Sequence, residues 1–153
     1  MAIKALIFIG NLFPANPSAI NENQIQELID AGIIKYLGMV DNVAEIISNC
    51  DCMILPSYRE GIPRSILEAS SIGRPVITVD SIGCKDAVDD TVTGFIAKVK
   101  DVGSLTDTMI RFIELPFAEK EVMGKAGRLK MEREFDQCIV IDKYIEITNK
   151  LLA

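Results

Sequence analysis

The sequence predicts an α/β fold built on a doubly wound parallel sheet, and three observations point to it. Short apolar runs alternate with stretches of helical periodicity from near the start of the chain to about residue 97. The apolar runs are nearly continuous, the mark of strands covered on both faces. The length of 153 residues and the hydrophobic share of 49% suit one domain with a substantial core.

Lys4 to Ile9 reads as the first strand, ending in Gly10-Asn11, and a Pro- and Asn-rich loop runs from Phe13 to Ser18. Asn21 with Gln24 three residues later has the form of a capping box, opening a helix to about Ala31 that Gly32 ends. Ile33 to Leu37 is the second strand, closed by Gly38. Asp41 or Asn42 then caps a short helix with Val43, Ile46 and Ile47 at helical spacing. Cys52 to Leu55 is the third strand. A helix from Pro63 to Ile72 follows, with Pro in its first turn and Gly73 beyond its end. Val76 to Val79 and Gly94 to Ala97 are the fourth and fifth strands, separated by a turn or short helix over Gly83 to Val88. From Val102 the chain reads as three helices, divided near Leu115-Pro116 and near Phe135.

Composition removes several function classes. The formal charge is −6 with no basic stripe, which argues against a nucleic-acid partner. No apolar stretch is long enough to span a bilayer, and Ala5 to Ile9 is too short for a signal peptide. Cys50, Cys52, Cys84 and Cys138 lack a usual zinc spacing and read as reduced thiols of a cytoplasmic protein. The absence of His excludes Ser-His-Asp and Cys-His catalysis.

The segment PSYREGIPRSILE, from Pro56 to Glu68, follows the third strand. Ligands of open parallel sheets sit beyond the carboxyl ends of the strands, where this segment lies. Gly61 permits close backbone approach, and the helix behind it directs its first N–H groups into the same space. A helix N-terminus carries about half a positive charge, so it stabilises a diphosphate. Carboxylates such as Glu60 and Glu68 accept hydrogen bonds from pairs of sugar hydroxyls. Spacing alone leaves a second reading open, with Glu68 a solvated helix residue and Glu60 a residue of the helix entrance.

Glu60 and Glu68, with seven residues between them within PSYREGIPRSILEASSIGRPVI, resemble the signature of family 4 retaining glycosyltransferases. The similarity extends from about Ile7 to Tyr144. The resemblance implies a Rossmann-like domain, one half of a GT-B architecture, that binds a nucleotide diphosphate sugar. It implies that Glu68 holds the ribose hydroxyls and that Glu60, the candidate catalytic residue, positions the transferred sugar without acting as a nucleophile. The backbone of Gly61, Ile62 and Pro63 would surround sugar and diphosphate, and the N–H groups of Arg64 and Ser65 would complete the phosphate site. Met39 and Val40 occupy the place of the base-binding segment, with Gly10 and Asn11 near the same pocket; Met39 reads equally as a core residue. No cofactor and no metal are implied, which suits a chain without His or Asp-x-Asp.

Two parts of the family pattern have no counterpart in the chain: the N-terminal acceptor domain and the first strand-helix unit of the donor domain. That unit normally supplies an Arg and a Lys opposite the leaving diphosphate, and its strand lies centrally in the usual order. The resemblance therefore leads us to expect an acceptor-domain partner or a homodimer, and a complete enzyme peripheral to the membrane. The function expected is the donor-binding part of a glycosyltransferase of surface polysaccharide synthesis. The alternative is a non-catalytic nucleotide-sugar-binding or assembly module.

Overall fold

A computed structural model of the chain describes residues 6–13 and 19–152. Lys4 and Ala5 of the expected first strand, and residues 14–18 of the loop after it, lie outside the described residues. The fold comprises two compact units, the first ending at Val43 and the second beginning at Ala44.

The first unit contains β1 (Leu6–Phe8), α1 (Glu22–Asp30) and β2 (Ile34–Tyr36). The two strands pair in parallel, Leu6 opposite Ile34 and Phe8 opposite Tyr36. Helix α1 starts where the sequence says it should. The Gln24 N–H donates to Asn21 Oδ1 at 2.9 Å, and the Asn21 N–H donates to Gln24 Oε1 at 3.0 Å. This reciprocal pair satisfies two donors that the helix cannot bond internally, typically worth about 1 kcal/mol. Ile25 of α1 and Ile34 of β2 are buried.

Helix α2 (Val43–Ser48) spans the boundary and leads into the second unit, where β3 (Met53–Leu55), α3 (Arg64–Ser71), β4 (Val76–Val79) and β5 (Gly94–Ala97) follow. The strands form a parallel sheet in the order β3-β4-β5. All four residues of β4 are buried. Successive strand residues point to opposite faces, so the sheet is covered on both sides at β4. Helices α4 (Val102–Glu114), α5 (Phe117–Glu134) and α6 (Gln137–Leu152) complete the chain.

One cluster of the core joins Ile77, Phe95, Phe112 and Met123 from β4, β5, α4 and α5. The Phe95 and Phe112 rings meet edge to face at 6.5 Å. Each side chain of this size stabilises the fold by about 1.5–3 kcal/mol on full burial. On α3, Ile66 and Ala69 are completely buried. Helix α5 packs directly on α3. A Cβ placed on Gly124 would lie 2.0 Å from the Gly73 carbonyl oxygen, so the close approach needs glycine there. Helix α6 buries none of its residues.

The alternation of strands and helices, and their parallel pairing, match the expected α/β class. The strands are divided between two sheets, β1-β2 and β3-β4-β5, where alternation by itself suggests one. Alternation makes each strand parallel to a neighbour but leaves open which strands are neighbours.

Candidate functional site

The loop from Pro56 to Pro63 leaves the carboxyl end of β3 and enters α3. Pro63 is the N-cap residue, one position ahead of the first turn expected for it, with extended backbone (φ −69°, ψ 120°) and no side-chain cap. Its carbonyl accepts from the Ile66 N–H at 3.0 Å and the Leu67 N–H at 3.3 Å. The N–H groups of Arg64 and Ser65 are therefore the donors at the head of the helix that a ligand can take up. Behind them, Glu68 is half-exposed, and the Arg64 guanidinium stands 3.6 Å from its carboxylate. An exposed pair of this kind is worth at most about 1 kcal/mol, so Glu68 can exchange it for a ligand.

Glu60 is exposed on the loop, with Oε1 accepting from Ser57 Oγ at 2.7 Å. Gly61 and Ile62 are exposed beside it. A Cβ on Gly61 would meet nothing within 4 Å, so the space over this part of the loop is open. The Lys100 ammonium lies 5.5 Å from the centroid of the Tyr58 ring, which brings a cation to the rim of the same loop.

The other sequence-predicted residues lie in the first unit, at the carboxyl end of its sheet. The Gly10 N–H donates to the Gly38 carbonyl at 2.8 Å, and the Tyr36 hydroxyl donates to the Gly10 carbonyl at 2.7 Å. Asn11 Nδ2 approaches Met39 Sδ at 3.4 Å. Gly10, Asn11 and Met39 are thus brought together. Met39 is 77% exposed and is not a core residue, while Val40 is half-buried beside it.

An open groove beside the ends of β4 and β5 is lined by Asp80, Lys85, Asp86, Asp90 and Lys98, and by neither Glu60 nor Glu68. Three carboxylates against two ammonium groups suit a diphosphate poorly, and Lys85 is already paired with Asp80 at 2.9 Å. The loop before α3 is the better anion site, because its donors are backbone N–H groups at a helix head.

Residues 6–130 match the family described as glycosyl transferases group 1. The chain belongs to this family. Among the relatives of this group 1 glycosyl transferase is the Campylobacter jejuni N,N'-diacetylbacillosaminyl-diphospho-undecaprenol alpha-1,3-N-acetylgalactosaminyltransferase. It is 29% identical over 127 residues, which cover 82% of this chain and 33% of the relative. The Escherichia coli UDP-Gal:alpha-D-GlcNAc-diphosphoundecaprenol alpha-1,3-galactosyltransferase is 30% identical over 70% of this chain and 27% of its own length. The chain thus spans about a third of these relatives. Among solved structures, Anabaena HepE in complex with UDP superposes with a TM-score of 0.84 at 21% identity, over 95% of this chain and 41% of that one. A glycosyltransferase from Rickettsia africae gives 0.83 at 19% identity, over 97% and 40%. At such identities the structures establish the shared Rossmann-like fold of a group 1 glycosyl transferase.

Reading the sequence for carboxylates and loop glycines did not join Ser57 to Ser81, or Gly61 to Gly83, which reads there as the start of a turn. Ser81 Oγ donates to the Ser57 carbonyl at 2.8 Å, and Gly83 lies directly against Gly61. The only sequence signal was position: small residues just beyond the ends of two strands. No helix among the described residues is long and apolar enough to cross a membrane.

Proposed function

We propose that the chain is the donor-binding part of a family 4 retaining glycosyltransferase, which takes a nucleotide diphosphate sugar. The single observation that carries this reading is the loop from Ser57 to Pro63. It presents a carboxylate and an uncapped helix head together at the carboxyl end of a parallel strand. In the proposed complex the diphosphate sits on the N–H groups of Arg64 and Ser65, and Glu68 accepts the ribose hydroxyls. Glu60 and the backbone of Gly61, Ile62 and Pro63 orient the sugar.

Chemically, breaking the bond between sugar and diphosphate leaves negative charge on the diphosphate. Donors already aimed at that charge lower the barrier, and one such donor is typically worth about 10²–10³ in rate. The helix head supplies them without a divalent metal, so binding is expected to be unchanged in a chelator. Two relatives are named for sugars carried on diphospho-undecaprenol, which supports a lipid-linked acceptor and a role in surface polysaccharide synthesis. The acceptor site is proposed to come from an acceptor domain or partner, in a cytoplasmic enzyme peripheral to the membrane.

Calorimetric titration of the chain with UDP, GDP and ADP tests the donor site. One nucleotide is expected to bind, and Glu68→Ala to weaken it about 10- to 100-fold, the range for a hydrogen bond to a charged group. Equal affinities for the wild-type chain and the variant would remove Glu68 from the site.

A further inference from the structure

The loop after β4 is fitted to the loop after β3 well beyond the last paired strand residues. Thr78 Oγ1 donates to the Leu55 carbonyl at 2.8 Å, and Ser81 Oγ donates to the Ser57 carbonyl at 2.8 Å. The Glu60 N–H then reaches the Ile82 carbonyl at 3.4 Å. Gly83 closes the contact. A Cβ there would fall 1.6 Å from the Gly61 carbonyl oxygen and 2.7 Å from that of Glu60. Its φ of +84° is a left-handed conformation that glycine adopts without strain, and Asp86 holds it by accepting the Gly83 N–H at 3.0 Å. At the far end Ser57 Oγ donates to Glu60 Oε1 at 2.7 Å. A buried hydroxyl, Ser81, thus holds an exposed carboxylate through one intervening residue.

We propose that Ser57, Ser81 and Gly83 are positioning residues that set the Glu60 carboxylate for the donor's sugar. The loop after β4 would then decide how well a nucleoside diphosphate sugar is preferred to the bare nucleoside diphosphate. The physical basis is preorganisation. A free glutamate side chain must be ordered when the sugar binds, whereas Ser57 orders it beforehand and leaves the second carboxylate oxygen for a sugar hydroxyl. This inference rests on the reading of Glu60 as the sugar contact.

The test is titration of the chain with UDP and with UDP-glucose, repeated with GDP and GDP-mannose if uridine is not the base, while thermal midpoints are followed. Ser57→Ala and Ser81→Ala are expected to weaken the sugar nucleotide about tenfold while changing the nucleoside diphosphate less than about twofold. Ser81→Thr, which keeps the donor, should restore the preference. Glu68→Ala should weaken both ligands together. If Glu68→Ala does so but the serine variants leave the ratio of affinities unchanged, the positioning role is wrong and the donor site stands. If the wild-type chain binds neither ligand, or Glu68→Ala alters nothing, the donor site fails and this inference with it. Should Ser81→Ala or Gly83→Ala not fold, Ser57→Ala decides, because it removes the hydroxyl that donates to the Glu60 carboxylate.

Discussion

Cys52 shows how much the surroundings of one residue change its chemistry. Burial, followed by the nearby charge of Asp51, pushes its thiol up to about 12. The thiolate is the nucleophile, so Cys52 is expected to react slowly at neutral pH. Cys84 is completely buried, while Cys138 is exposed on α6 with its thiol raised by the hydrogen bond to Asp136. Access therefore sets the order of reaction. A maleimide at pH 7.5 is expected to modify Cys138 first, with Cys52 and Cys84 reacting only after denaturant is added. Mass spectrometry of the intact chain reads the adducts, and early modification of Cys52 would contradict the burial that raises its pKa.

At the scale of elements, α5 illustrates what the sequence shows and what it hides. Its residues form a helix as expected, but apolar spacing misleads about which side is inside. Val122 and Leu129 are exposed, whereas Gly124, Gly127 and Lys130 are buried. The buried face carries Met123 and Met131, small residues against α3, and an ammonium that bonds Asp89 at 2.6 Å and Glu134 at 3.2 Å. Gly124→Ala should therefore force α5 away from the Gly73 carbonyl and destabilise the fold by about 1–3 kcal/mol, the usual range for overpacking. A urea midpoint equal to that of the wild-type chain would disprove this contact. Because α3 carries Glu68, the same substitution should also lower nucleotide affinity. The strands, α1 with its capping box, and the loop before α3 were legible in the sequence because their signals are local. The partnership of Ser57 with Ser81 was not, since it joins residues 24 positions apart and depends on the β3-β4 register.

For the whole molecule, the titratable groups predict a broad plateau of stability. Glu134 is held below the ordinary carboxylate range by hydrogen bonds from Arg133 and Lys130. Asp136 is lowered by the Cys138 N–H, and Glu146 by Lys150 and Lys143. Depressed carboxylates contribute stability that is present above their unfolded pKa, about 4, and lost as the pH falls through the folded values. Burial pulls Lys130 down, but its bonds to Asp89 and Glu134 outweigh burial and leave it above the usual lysine value. Its contribution is complete below about pH 10.4 and is lost only as the pH rises through the higher folded value. No histidine is present to titrate between these limits. Thermal midpoints should therefore be nearly flat from about pH 6 to 8 and fall below about pH 4.5. A marked slope near neutrality would mean that another group titrates there.

The double burial of β4 also has a kinetic meaning. Its amides are enclosed by a strand on each side and by side chains on both faces. Solvent deuterium can reach them only when the β3-β4-β5 sheet opens as a whole. Residues 76–79 should thus be among the last to exchange, and their rate would report the global opening free energy. The two-stranded β1-β2 ladder should exchange much sooner, since ribbons of that size are marginal alone.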